Sequence, residues 1–217
     1  MPLRVTIVAD GSSDQALKAI VEWLLEQHLP IEEAFEVVVA DLRQVPRPPS
    51  QPKERLRQSW QLFPGDVLFV HRDAEKEPLV VRQQQIDEWV ATSFIAPPDY
   101  VKVIPVRMTE AWLLTDEAAI REAAGNPNGT MPLHLPASSR LEALPDPKEV
   151  LLAALRIATG NTVRRRRSFN ERQAVHLVAD FTRDNGFQAL RVLESFRMLE
   201  TEVNHFIQQH YYYPIKT

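Results

Sequence analysis

Cysteine is absent from this chain of 217 residues. Its absence excludes disulfides, thiolate zinc sites, iron–sulfur clusters and a cysteine nucleophile. Long apolar runs are missing too, since no stretch approaches the roughly 20 residues that a transmembrane helix needs. No secretory signal pattern is visible at the start of the sequence. We therefore expect a cytoplasmic protein with no membrane partner.

Several catalytic motifs are also missing. The sequence has no Walker loop, no Gly-x-Gly-x-x-Gly and no Gly-x-Ser-x-Gly, and its six histidines form no His-Glu-x-x-His pattern. P-loop nucleotide hydrolysis, serine-esterase chemistry and zincin proteolysis therefore have no support. The net charge of −4 argues against a protein that coats nucleic acid along its whole surface. It leaves room for a local basic patch.

The first half of the chain alternates apolar strand-like runs with helical spacing. The strand-like runs are 3–9, 35–40, 66–70 and 100–106. Helical spacing is found at about 13–28, 53–62, 86–94 and 110–124. This alternation predicts an α/β fold with a mostly parallel four-stranded, Rossmann-like sheet flanked by helices. Because Pro105 lies inside the last run, that strand is expected at an edge of the sheet or interrupted there.

The second half has a different character. Residues 125–147 contain five prolines and few periodic apolar positions, which predicts an insertion or a long ordered loop. Helical patterns follow, with starts at Asp146-Pro147, at about 169 and at about 187. We therefore divide the chain into an α/β domain at 1–124, a Pro-rich insertion or loop at 125–147 and a helical C-terminal third at 148–217. The last part is expected to pack on or beside the sheet.

Two acidic clusters come directly after apolar strands. Asp10 and Asp14 follow the first strand, and His71, Asp73 and Glu75 follow the third. The carboxyl ends of neighbouring strands form the functional crevice of an open α/β sheet. Carboxylates delivered there are suitable ligands for a divalent cation. Asp73 and Glu75 are two positions apart, so they would point the same way if the strand continued.

Each cluster also has a structural explanation. Ser12 and Gln15 match a capping box at the start of the first helix. The second cluster would be a solvated loop, with Arg72 and Asp73 as a weak surface pair. Neither explanation accounts for Asp10, which ends an apolar strand and gains nothing structural from that position.

Glu110 opens a helical segment immediately after the fourth strand. It is either a further carboxylate at the same edge of the sheet or a dipole-compensating residue behind an N-cap at Thr109. The apolar residues that follow, Trp112 to Leu114, are most simply core.

The densest positive charge in the chain is a run of four arginines, Arg164, Arg165, Arg166 and Arg167. Guanidinium groups bind phosphates bidentately, so this run is a candidate nucleic-acid-binding segment. The alternative is a solvated loop or helix start.

In their order and spacing these motifs resemble the Toprim (topoisomerase–primase) fold, in which an acidic-Gly motif follows the first strand and an Asp-x-Asp motif follows the third. More closely, the chain is similar to a family of bacterial Toprim-like proteins of unknown function. In that family a Glu-Gly motif, an Asp-rich motif and a Glu-Ala-Trp-Leu-Leu segment recur in this order. The matching stretches are Asp10-Gly11, His71-Arg72-Asp73 and Glu110 to Leu114.

The resemblance implies a site for Mg²⁺ or Mn²⁺. Asp10 takes the place of the first Glu of the family, Asp73 that of the second Asp, and His71 stands where the first Asp would be. Asp10, Asp73 and Glu75 would then hold the cation, and His71 would serve as general acid or base. Asp14 and Glu110 would be supporting acids.

The function implied is a divalent-metal-dependent nuclease that cleaves phosphodiester bonds in DNA or RNA. By analogy with similar proteins, it would work with a partner ATPase in defence against mobile DNA. The alternative is a catalytically degenerate Toprim-like module that binds a protein or nucleic-acid partner.

Overall fold

Four parallel strands form a single sheet. The structure, a computed structural model, describes residues 1–9, 16–43, 45–160 and 169–212. The strands are β1 (Leu3–Val8), β2 (Phe35–Val39), β3 (Val67–His71) and β4 (Tyr100–Val103), in the order β2-β1-β3-β4. Every neighbouring pair is parallel. The predicted α/β fold with a four-stranded parallel sheet is therefore confirmed.

Burial along the strands explains their composition. All five residues of β3 are buried, and in β1 only Arg4 is exposed. These two central strands are covered on both faces, so they consist of nearly continuous apolar residues. The edge strands β2 and β4 are less completely buried.

The edge position of β4 confirms the prediction made from Pro105. The strand ends at Val103, before the proline, which has no N–H to donate to a sheet ladder. On its outer side, the backbone N–H of Lys102 donates to Glu202 Oε2 at 2.7 Å. A side chain thus replaces the missing neighbour strand at this position.

Three helices connect the strands: α1 (Ala16–His28), α2 (Pro52–Leu62) and α3 (Leu79–Ser93). Helix α1 buries Leu17, Ile20 and Leu24 completely, the spacing of one helical face. Helices α2 and α3 pack together, and Ser93 joins them because its Oγ donates to Lys53 O at 3.1 Å.

The second half of the chain is helical, as predicted. Its α-helices are α4 (Glu117–Ala123), α5 (Pro147–Ala158), α6 (Glu171–Asn185) and α7 (Glu194–Ile207). The described residues of this half also form three 3₁₀ turns (Thr109–Leu114, Ser138–Ala143 and Gln188–Val192) and a π turn (Gln208–Tyr212). Among the described residues, no helix is long and apolar enough to cross a bilayer.

Two details of the predicted helices are wrong. The single helix expected at 110–124 is a 3₁₀ turn followed by α4, because Asp116 caps a new helix by accepting from the N–H of Ala119 at 3.0 Å. Thr109 is not an N-cap but the first, buried residue of the 3₁₀ turn. Likewise the helix expected at 187–209 begins only at Glu194, after the Gln188–Val192 turn.

Packing divides the chain into two compact units. The first, called here the sheet unit, comprises Met1–Ser12, Leu24–Ile104 and Met198–Thr217. The second, the helical unit, comprises Ser13–Trp23 and Pro105–Arg197. This grouping follows packing rather than sequence character, so the division at 1–124, 125–147 and 148–217 stays a prediction about domains.

The core of the helical unit is built around Trp112. Its ring packs edge-to-face on Phe196, with centroids 5.5 Å apart. Its indole N–H donates to Ser195 Oγ at 3.3 Å, and that hydroxyl donates to Glu142 at 2.6 Å. Trp112, Leu113 and Leu114 are all buried, as expected for core residues.

Candidate functional site

The carboxyl ends of β1 and β3 meet at the centre of the sheet. From β1 the chain passes through α1 to β2 on one side, whereas β3 continues to β4 on the other. Ligands of open α/β sheets bind where the strand order reverses in this way. Val8 is the register partner of Val70, so the chain segments after these residues leave the sheet from neighbouring positions.

His71 is the last residue of β3, and its side chain is 0 % exposed. Its Nε2 lies 3.2 Å from Oδ1 of Asp73, which is 28 % exposed. The carboxylate accepts this hydrogen bond, which fixes the orientation of the imidazole ring. The structure thus brings together two of the predicted site residues at the predicted edge of the sheet.

Glu75 takes a different partner. Because β3 ends at His71, the strand alternation that would align Glu75 with Asp73 does not continue. Glu75 has a φ of 54°, and its Oε2 accepts from Arg82 Nη2 at 2.9 Å. Its carboxylate is therefore neutralised by a guanidinium of α3, and its predicted role as a metal ligand stays a prediction.

Arg55 is a candidate that sequence reasoning missed. It lines a small cavity at this edge of the sheet, together with Ala9, His71 and Trp89. A signal was present in the sequence: a helix that follows a strand of a parallel sheet starts at the carboxyl edge. Arg55 lies in the first turn of α2, which follows β2, so its proximity to the crevice follows from the topology.

Glu110 lies in the helical unit and is buried. Its Oε1 forms an ion pair with Lys148 Nζ at 3.3 Å, and the lysine is 53 % exposed. Lys148 is placed by the start of α5, where Asp146 caps the helix by accepting from Glu149 N–H at 3.0 Å. The ion pair satisfies the buried carboxylate, and the role of Glu110 as a supporting acid stays a prediction.

Several predicted site residues lie outside the described residues. They are Asp10, Asp14 and the run Arg164–Arg167. Within the part of the chain that is described, no group of three or more histidine, aspartate or glutamate side chains is placed to hold a metal ion. The predicted cation site with Asp10 at the β1–β3 edge therefore stays a prediction.

Comparisons of the chain with protein-family models, with curated proteins and with solved structures found no match. The resemblance to the Toprim fold, drawn from the order of the motifs, therefore stays a prediction. The geometry of the sheet edge and its side chains is the basis for any assignment of function.

Proposed function

We propose that this protein is a divalent-metal-dependent enzyme that cleaves phosphodiester bonds in DNA or RNA. One observation carries the proposal: the hydrogen-bonded pair His71–Asp73 lies at the switch point, beside the strand that leads to Asp10. The acidic and basic groups at the end of β3 thus lie at the crevice where open α/β sheets bind their ligands.

Asp10 and Asp73 would hold Mg²⁺ or Mn²⁺, since both cations prefer hard oxygen ligands. A carboxylate has two oxygens, so Asp73 can accept from His71 through one and bind a cation through the other. The bound cation would supply Lewis-acid polarisation of the phosphate and a lower pKa for water. The donor chemistry of the two aspartates fits this role.

His71 would transfer the proton of the reaction. Its imidazole is oriented by Asp73, and an unperturbed histidine titrates near neutral pH, as a general acid or base requires. Because the ring is buried at the end of a strand, its position relative to the carboxylate is fixed before substrate binds. Asp73 is therefore a positioning residue for His71 as well as a ligand.

Arginine side chains would hold the phosphate backbone. Arg55 lines the cavity beside His71, and a guanidinium donates paired hydrogen bonds to phosphate oxygens. Arg164–Arg167 would add charge along the same substrate, as the sequence predicts. A partner ATPase acting with this nuclease against mobile DNA is supported by the motif resemblance alone.

The test compares the wild type with the double variant Asp10→Asn/Asp73→Asn. Mn²⁺ and Mg²⁺ are titrated while cleavage of single- and double-stranded DNA and RNA is followed on gels, and the melting temperature is recorded. We expect metal-dependent cleavage by the wild type and a loss of roughly hundredfold or more in the variant. Cleavage by the variant at the wild-type rate would refute the proposal.

The matched control is Asp99→Asn/Asp184→Asn, which also removes two aspartate charges but leaves Asp10 and Asp73 in place. It should cleave as the wild type does. The metal should also raise the melting temperature of the wild type and of this control, but not that of Asp10→Asn/Asp73→Asn, because only a folded state with an intact site gains from binding.

One observation favours a second candidate function, a catalytically degenerate module that binds a protein or nucleic-acid partner. The carboxylates of Glu75 and Glu110 are already ion-paired, with Arg82 and Lys148, which reduces the number of acids that can hold a cation. The same experiment separates the two functions. A wild type that neither cleaves nor responds to Mn²⁺ supports the binding module.

A further inference from the structure

A cavity of about 340 Å³ lies within the helical unit, at the first turn of α6. Its lining residues have no role in the chemistry described above. Its volume is at the lower end of the range of roughly 300–1,000 Å³ found for pockets that bind small organic groups. The side chains that determine its chemistry are Ala123, Ala124, Phe169, Asn170, Gln173 and Ala174.

The walls of this cavity combine apolar side chains with amide groups. Ala123, Ala124 and Ala174 are buried and contribute methyl groups, whereas the ring of Phe169 is only half-buried. The side chains of Asn170 and Gln173 are exposed. Aromatic faces stack on planar rings, and amides both donate and accept hydrogen bonds, as the edges of nucleobases do.

Asn170 and Gly125 both border the cavity. Asn170 caps α6, because its Oδ1 accepts from the backbone N–H of Gln173 at 3.2 Å, and this bond holds the two amide residues next to each other. Gly125 also lines the cavity, and an added Cβ there would meet no atom of the described residues within 4 Å. Among the described residues, the exposed side chains of Asn170 and Gln173 leave this side of the cavity accessible to a planar group.

We propose that this cavity binds one unstacked base of a single-stranded nucleic acid. The base stacks on Phe169, and Asn170 and Gln173 bond its edge. Charge complementarity supports a polynucleotide, since the sequence directly before Phe169 carries Arg164–Arg167, which lie outside the described residues. This inference deepens the proposed function and rests on it for nucleic acid as the substrate.

Binding is tested on the full chain in EDTA, so that no cleavage occurs. The probe is fluorescein-labelled oligothymidylate of about 12 nucleotides, followed by fluorescence anisotropy. An abasic strand and a duplex of the same length are measured beside it, and thymidine monophosphate is the competitor. We expect the wild type to prefer oligothymidylate to both other probes, with little competition from the free nucleotide.

The variants locate this preference. Phe169→Ala should bind oligothymidylate roughly tenfold more weakly, the loss expected for one stacked base, with unchanged affinity for the abasic strand. Phe169→Tyr should retain the preference because it keeps an aromatic face. Gln173→Ala alters only an exposed side chain and should weaken binding by a smaller factor, whereas its matched control Gln84→Ala on α3 should have no effect.

Three results would overturn the inference: equal affinity of the wild type for the abasic strand or the duplex, unchanged binding by Phe169→Ala, or equal binding of the free nucleotide. Failure of the proposed function looks different. A base preference in EDTA without cleavage in Mn²⁺ would remove the nuclease and keep the binding site. Cleavage that depends on Asp10 and Asp73, without a base preference, would keep the nuclease and remove the base-binding site.

Discussion

Arg82 determines the position of the loop that follows β3. Its side chain is buried, and its Nε donates to Ala74 O at 3.2 Å, while Nη1 and Nη2 donate to Gln85 and Glu75. A buried guanidinium is tolerated only when its donors are bonded. Because Ala74 follows Asp73 directly, the same contacts hold the loop that carries Asp73 in place.

This arrangement predicts unequal effects of two substitutions. Arg82→Met should lower the free energy of unfolding by roughly 2 kcal/mol, because it leaves Ala74 O without its donor. Glu75→Gln should lower it by less than about 1 kcal/mol, because the glutamate is largely exposed and its ion pair is screened. Urea denaturation of both variants measures the difference.

The same pair of variants tests the role of Glu75 in metal binding. Arg82→Met should also reduce cleavage, since Asp73 loses its support, whereas Glu75→Gln should keep both cleavage and the response to Mn²⁺. If Glu75→Gln abolished Mn²⁺ binding, the carboxylate would be a metal ligand, and the structural role assigned to it here would be wrong.

A residue of the site could be predicted from the sequence when the pattern that places it is local, and not when its partner lies farther along the chain. His71 and Asp73 are located by a simple rule, because they follow an apolar run that could only be a buried strand. The partners of Glu75 and Glu110 lie on helices farther along the chain, and nothing in a local pattern specifies them. The location of Arg55 near the crevice could be predicted only from the order of the strands and helices, and not from the residues next to it in the sequence.

Among the secondary-structure elements, the break between the Thr109–Leu114 turn and α4 shows a limit of periodicity. Buried residues continue on both sides of it, from Trp112 to Ile120, so the apolar pattern predicts one helix. The signal for the break was the N-cap preference of Asp116. The strands were predicted more closely, since parallel central strands are apolar on both faces and end in polar turns.

The outer edge of β4 is protected by α7. Glu202 accepts the backbone N–H of Lys102 through Oε2 and is close to its Nζ through Oε1, at 3.4 Å. An edge strand with free N–H groups is prone to pairing with other chains. A charged side chain supplied by a helix both satisfies the donor and discourages such pairing.

Glu202→Ala should therefore lower the free energy of unfolding by about 1–2 kcal/mol, the cost of leaving a part-buried donor unsatisfied. It should also accelerate hydrogen exchange at the Lys102 amide. Glu202→Gln, which keeps an acceptor oxygen, should lose less. The control Asn204→Ala changes an exposed residue of the same helix and should not lose stability. A loss in Asn204→Ala equal to that in Glu202→Ala would mean that the hydrogen bond to Lys102 is not the cause.

At the scale of the whole molecule, titratable side chains on either side of neutral pH are expected to make stability depend on pH. On the acid side, burial, assisted by the charge of Arg172, lowers the pKa of His176 from its ordinary value of 6.5. On the alkaline side, burial and the hydrogen bond to Asp87 raise the pKa of Tyr100 above 10.0. Stability is then expected to be greatest between these limits.

The sign of each effect follows from proton linkage. A histidine with a lowered pKa in the folded state takes up its proton more readily when unfolded, so stability falls as the pH drops below about 6.5. Tyr100 behaves in the opposite sense, because its raised pKa means that stability is lost as the pH rises through that value. Lys102 adds to this loss of stability at high pH. Burial lowers the pKa of Lys102, but the hydrogen bond to Asp87 and the charge of Glu202 outweigh burial and raise the pKa overall.

Substitution can identify the group that causes the loss of stability at low pH. In the described part of the chain, Nδ1 of His176 is buried without a hydrogen-bond partner, so an imidazolium there would leave a donor unsatisfied. His176→Gln should flatten the decline in unfolding free energy between about pH 7.5 and about pH 5, measured by urea denaturation at each pH. His205→Gln, an exposed histidine on α7, should keep the wild-type slope. If the unfolding free energy of His176→Gln still declined as in the wild type, other groups would be responsible for the loss of stability at low pH.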